Sequence, residues 1–187
     1  MSPEILMHLT ANMPMKQIDV LGKAYLQRYF AGTSDDSDIW VHRFLSCDGD
    51  RHLHNHPWRG ISLVLHGGYT EDYRAGDEHD ISQRTRTPTD MPLWMIQSLI
   101  NNDLKFVNHY KRRIPGSIGA GIEITPFTWH RISSVLPDTW TLMIVAKSRL
   151  PFWYFKDDNG DLEVMQASPR DWHKECKTRE HTQGAVQ

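Results

Sequence analysis

The run Arg51-His52-Leu53-His54-Asn55-His56-Pro57-Trp58 places three histidines at alternate positions. Alternate side chains of an extended strand share a face. Neighbouring Cβ atoms on that face lie about 7 Å apart, at roughly 3.3 Å of rise per residue. Two imidazoles at that spacing can lean onto one ion, with metal–nitrogen bonds of about 2.1 Å. All three together span about 13 Å, too far for one ion on a straight strand. One neighbouring pair therefore binds, or the strand bends. Pro57 should end regular pairing just after His56 and set the pair near a strand end, where sites often open. A second stretch, Thr125-Pro126-Phe127-Thr128-Trp129-His130-Arg131, delivers a further histidine from a proline-containing turn. A third nitrogen from a separate hairpin would complete three faces of a coordination sphere and leave the other positions open.

These residues need strands to carry them. Ile39 to Leu45 and Ile61 to His66 are short runs rich in β-formers, and Gly67-Gly68 separates the second from Tyr69-Thr70-Glu71-Asp72-Tyr73. Two strands about a Gly-Gly turn read as a hairpin. Further strand candidates are Leu104 to Tyr110, Ser117 to Ile124, His130 to Val135, Trp140 to Lys147 and Phe152 to Phe155. Many short strands with turn signals between them point to an all-β sandwich or barrel. Before them, Leu21, Ala24, Tyr25 and Phe30 recur at helical spacing, so the opening to about Thr33 reads as a helix. Residues 1–36 are thus a helical or extended segment, 37–170 the barrel and 171–187 a polar tail. Met91 to Leu99 reads as a short helix or a lid over the barrel mouth.

The joint pattern resembles the cupin superfamily. His54-Asn55-His56, Gly67 or Gly68, and the turn leading to His130 match the two cupin motifs. More closely, Leu53-His54-Asn55-His56-Pro57-Trp58 with Ser62-Leu63-Val64-Leu65-His66-Gly67-Gly68-Tyr69-Thr70-Glu71 is similar to a group of small bacterial and phage cupins. The resemblance covers about Tyr25 to Tyr154. It implies a double-stranded β-helix (a jelly-roll barrel) with a metal inside, and its register selects His54 and His56 as the pair. The motif glutamate is missing, because its position falls at Gly60 or Ile61. Glu71 is the natural substitute. If the turn lies at Gly67-Gly68, then Tyr69, Glu71 and Tyr73 share one face, which the cupin pattern directs inward. A carboxylate there is costly unless paired or metal-bound. Glu71 is then a fourth ligand or an acceptor for a histidine N–H. Its bland alternative is an outward carboxylate answered by Arg74 or Lys111.

Trp58 and Trp129 flank the histidines as barrel packing or as walls of a substrate pocket. Arg59, Arg112, Arg113 and Arg131 are candidate anchors for a carboxylate or phosphate. Tyr69 and Tyr110 are candidates to orient substrate or O₂. His42, His52 and His66 read as structural, with His66 exposed. The resemblance implies one divalent ion, Fe(II) first and Ni, Mn or Zn as alternatives. The leading expectation is a non-haem Fe(II) oxygenase acting on a small polar or anionic metabolite. The alternatives are a metal-dependent isomerase, lyase or decarboxylase, and a non-catalytic cupin that binds a small molecule.

Composition bounds the rest. The 187 residues suffice for one domain with a full core. A formal charge of −2 gives no basic field for nucleic acid or anionic lipid. No apolar run approaches the roughly 18 residues of a membrane span, and Met1 to Asp19 lacks the layout of a secretory signal. Cys47 and Cys176 make no disulfide framework. A cytoplasmic protein is expected, with a homodimer through strand edges or the N-terminal segment as a hypothesis.

Overall fold

A computed structural model of the chain describes residues 1–20, 22–47, 52–75, 81–89, 93–100, 122–156 and 162–166. After helix α1 (Pro3–Thr10), strands β1 (Met15–Val20), β2 (Lys23–Thr33), β3 (Ser37–Phe44), β4 (Leu53–His54), β5 (Trp58–His66), β6 (Tyr69–Ala75) and β7 (Ser82–Arg86) follow in order. Helix α2 (Leu93–Ile100) comes next. Strands β8 (Ile122–Ile124), β9 (Thr128–Val135), β10 (Trp140–Arg149), β11 (Phe152–Lys156) and β12 (Leu162–Gln166) complete the order. They form two six-stranded sheets, β1-β2-β3-β10-β5-β8 and β12-β11-β4-β9-β6-β7, and every pairing is antiparallel. The sheets face each other across a central cavity, so the chain is the all-β barrel read from its sequence.

The middle strands of the first sheet are buried on both faces. Ile39 and Val41 of β3, Leu63 and Leu65 of β5, and Trp140, Leu142 and Ile144 of β10 form one cluster with Leu6 of α1 and Ile96 of α2. Burying each such aliphatic side chain contributes about 2 kcal/mol. The alternating residues Trp40, His42, Phe44, Ser62, Thr141 and Met143 line the cavity instead. That is why these strands read as near-continuous apolar runs. The short helix expected over Met91 to Leu99 is α2; it packs on the outer face of this sheet through Ile96, and none of its residues with described side chains lines the cavity.

Two expectations are corrected. Helix covers only Pro3–Thr10 of the opening; residues 15–33 form the hairpin β1–β2. Pro14 cannot continue a helix, and Gly22 at φ +76° turns the chain. The pieces between such breaks are too short to be stable helices. In addition, Gly67-Gly68 does not close a hairpin. Strand β5 belongs to one sheet and β6 to the other, so the glycines form a corner between sheets. Gly67 has φ +69°, and a Cβ there would stand 2.4 Å from Thr139 Oγ1. That hydroxyl accepts the Gly68 N–H at 2.9 Å and so ties the corner down. The strand expected over Leu104 to Tyr110 lies outside the described residues. No described helix is long and apolar enough to cross a membrane.

Candidate metal centre

Strand β4 is two residues long. It pairs with β9 at His54↔His130 and with β11 at Phe155↔His54. The chain leaves the sheet at Asn55, whose side chain holds the exit in place. Asn55 Nδ2 donates to Pro126 O at 2.9 Å, its Oδ1 accepts from Tyr154 N at 2.8 Å, and its own N–H reaches Tyr154 O at 3.1 Å. One buried amide thus fastens β4, the turn before β9, and β11. The histidines on either side of it turn toward the cavity.

His54, His56 and His130 each offer a ring nitrogen, and these nitrogens all lie within 4.8 Å of one another. Points so spaced lie within a circle of radius at most about 2.8 Å, so a modest inward closing of the rings would bring each to a metal–nitrogen bond of about 2.1 Å. His56 Nε2 and His130 Nε2 are 2.9 Å apart. Two imidazoles bound at right angles to one ion would stand about 3 Å apart. Burial, and then the neighbouring His130 and His54, hold the His56 pKa well below the usual 6.5, so it is neutral and can ligate. Three imidazole nitrogens suit Zn, Fe, Ni or Cu better than hard oxygen-seeking ions. The donor set therefore fits a divalent transition metal.

Glu71 is 2% exposed and stands behind this cluster. His130 Nδ1 donates to its Oε2 at 3.0 Å. A carboxylate only accepts, so Nδ1 carries the proton and the Nε2 lone pair is free to face an ion. The other oxygen, Oε1, accepts from Arg84 and from Arg86, with Arg86 Nε at 2.8 Å. Burial alone would raise this carboxyl. The hydrogen bond from His130, with the charges of Arg86 and Arg84, outweighs that and holds it at about 2. Glu71 is thus the acceptor for a histidine N–H, one of the two roles weighed for it. Its cations are Arg84 and Arg86 of β7 rather than Arg74, and Lys111 lies outside the described residues.

The histidines open onto a cavity of about 240 Å³. Trp58 stacks on His56 with centroids 4.3 Å apart, and Tyr69 lines the same space. Burial, with the Glu71 charge, pushes the Tyr69 phenol up to about 12, so it remains an O–H donor. Three other expected pocket residues, Arg59, Trp129 and Arg131, lie elsewhere. Arg59 is exposed, and Arg131 donates to Asp72 at 2.9 Å. Neither they nor Trp129 line the cavity. The reason is strand alternation. Trp58, His130 and Ile132 point inward, so Arg59, Trp129 and Arg131, one position away, point outward. Tyr110, Arg112 and Arg113 lie outside the described residues. His66 is half-buried rather than exposed and contacts Met1 O at 2.8 Å through Nδ1.

Among the lining residues that sequence reasoning missed are Arg28, Trp153 and Arg149. Arg28 sits on the stretch read as helix. His42, read as structural, also lines the cavity and is bonded to it, with Arg28 Nε donating to His42 Nε2 at 3.1 Å.

No protein-family model matches the chain, and no curated protein matches it. Solved structures of partial similarity include hydroxypropylphosphonic acid epoxidase from S. wedmorenis, at 12% identity and TM-score 0.43 over 73% of this chain. The chain spans 56% of that protein's length. KdgF from Halomonas sp. is similar at 14% identity and TM-score 0.39, over 72% of this chain and 89% of KdgF. A structure of the DMSP lyases RdDddP and RnDddQII is similar at 10% identity and TM-score 0.44, over 83% of this chain and 63% of the other.

Proposed function

We propose that the chain is a metal-dependent cupin enzyme that oxidises a small anionic molecule with O₂, using one divalent ion, Fe(II) first, on His54, His56 and His130. The convergence of three imidazole nitrogens beside a cavity supports this reading most directly. An ion held by three protein ligands keeps adjacent open positions and supplies redox or Lewis-acid chemistry there. The chain's own residues do the rest. Glu71 holds the His130 proton on Nδ1 and so acts as a positioning residue. Tyr69 offers a phenolic O–H to substrate. Trp58, Trp153, Ile124, Ile132 and Met143 form apolar walls that exclude water. Two cysteines and a charge of −2 are in keeping with a cytoplasmic enzyme.

One observation favours a second reading, a metal-dependent isomerase, lyase or decarboxylase. Glu71 is engaged by His130, Arg84 and Arg86, so the donor set is neutral and leaves an ion's charge undiminished for polarising a carbonyl. Metal analysis of anaerobically purified protein, followed by O₂ uptake against a panel of small acids, separates the two. Iron at about one per chain with turnover-linked uptake supports the oxygenase. Zinc or nickel without uptake supports the second reading. Absence of any metal, with unchanged stability in His54→Ala and His130→Ala, refutes both.

A further inference from the structure

A second group of charged and aromatic residues faces the same cavity from the opposite sheet. Arg28 of β2 and His42 of β3 are cross-strand partners in register, so their side chains share the inward face. The Arg28 guanidinium lies 4.5 Å from the Trp40 ring centroid, and its Nε donates to His42 Nε2. One face of the fork is therefore covered and its inner nitrogen used. The two outer nitrogens are left for a ligand.

The chemistry of this arrangement lies in what holds the arginine. A guanidinium in a protein interior is ordinarily answered by a carboxylate. Here the partner is an imidazole. Burial, with the adjacent Arg28 charge, keeps His42 well below its usual pKa, so it is neutral and cancels no charge. Among the described residues, the cavity lining contains no aspartate or glutamate. Burial lowers Arg28 itself only to about 10, so it stays charged at neutral pH. Among the described residues, a full positive charge thus stands in a largely apolar chamber with no counter-charge in its lining.

The site is connected to the histidine cluster by ring contacts. Trp40 meets Trp58 edge-on at 6.5 Å, and Trp58 stacks on His56. An anion on Arg28 and a group beside His54, His56 and His130 would share one wall and one chamber.

We propose that Arg28 is the specificity-determining residue of this site and binds the carboxylate end of a small organic acid through the outer nitrogens of its guanidinium. The Arg28 fork can meet both oxygens of a planar carboxylate at once, in mostly apolar surroundings. Arg149 also lines the cavity, so the test separates the two guanidinium groups. This rests on reading the cavity as a substrate site, but it does not require the ion to be bound.

The test uses the full chain stripped of metal, so that no carboxylate can bind through an ion. Propionate and its neutral analogue propionamide are titrated by tryptophan fluorescence, since Trp40, Trp58 and Trp153 line the cavity. Propionate should bind and propionamide should not. Arg28→Gln should weaken propionate about ten-fold or more, and Arg28→Lys, which keeps the charge without the fork, by a smaller factor. If Arg28→Gln does not fold, side-chain nitrogen NMR of the unmodified chain decides instead. The Arg28 Nη resonances must then move with propionate and stay still with propionamide. Equal binding of the two probes, tighter binding of inorganic phosphate than of propionate, or a loss in Arg149→Gln but not in Arg28→Gln overturns the proposal. Metal content of the unmodified chain is read separately. A chain that takes up no ion yet binds propionate through Arg28 refutes the metal-dependent function and leaves this inference standing.

Discussion

His130 and His42 face one cavity from opposite sheets, and their neighbours give them opposite characters. His130 has a carboxylate behind it. Glu71 accepts its Nδ1 proton and is itself held by Arg84 and Arg86, so the imidazole is oriented with Nε2 forward. His42 has an arginine against it. Its Nε2 lone pair is taken up by Arg28, and nothing in that contact offers an ion a donor. Residue type alone does not mark a ligand; the charge of its hydrogen-bond partner does.

The comparison is tested most severely at Glu71. Glu71→Ala should weaken metal binding about 10–100-fold, as expected when the partner of a ligand histidine is lost. It should also cost about 3 kcal/mol of stability, because Arg84 and Arg86 lose their counter-charge. Metal titration and urea denaturation of the same samples measure the two effects. Unchanged affinity would show that Glu71 does not orient His130.

Acid should then expose the His42 side. His42 is held neutral in the fold but takes up a proton below about 6.5 when the chain unfolds. The unfolded state thus binds more protons, and stability must fall as pH drops below that value. For His42 the slope is up to about 1.4 kcal/mol per pH unit, and His56 acts in the same direction. Glu71 acts in a lower window: its stabilisation is full above the ordinary carboxyl range and lost as pH falls toward about 2. Denaturation of the metal-free chain at pH 7.5 and 5.5 reads the upper window, and His42→Gln should make the slope shallower, leaving the His56 part. A flat profile in the unmodified chain would contradict the burial of neutral His42.

The smallest effect is expected at the ion itself. His42→Gln retains an acceptor for Arg28, so metal affinity should change by less than about two-fold, with a stability loss of about 1 kcal/mol. A large loss of metal on this substitution would erase the distinction between the two histidines.

The convergence of the three histidines was largely legible in the sequence. His54, His56 and Pro57 form a local pattern, and the turn before His130 carries its own proline. The fold class followed from short runs such as Ile61 to His66. What escaped reading was non-local. Arg28 meets His42 only because β2 is a strand, yet Leu21, Ala24, Tyr25 and Phe30 fit helical spacing equally well. Strand β7, Ser82–Arg86, is too polar to announce itself, so the two arginines on Glu71 were invisible. Arg59, Trp129 and Arg131 were drawn in by being next to inward residues, the very positions that strand alternation turns outward. Asn55 looked like a spacer between two histidines, and its three bonds appear only when β4, β9 and β11 come together.

The central claim is that His54, His56 and His130 hold one ion together. Anaerobic cobalt(II) titration of the unmodified chain and of a His54/His56/His130 triple alanine variant, followed by visible absorption, tests it most directly. The account predicts saturation at about one equivalent in the first and no specific spectrum in the second, with His42→Gln behaving like the unmodified chain. Equal uptake by the triple variant, or no saturable uptake by the unmodified chain, would contradict it.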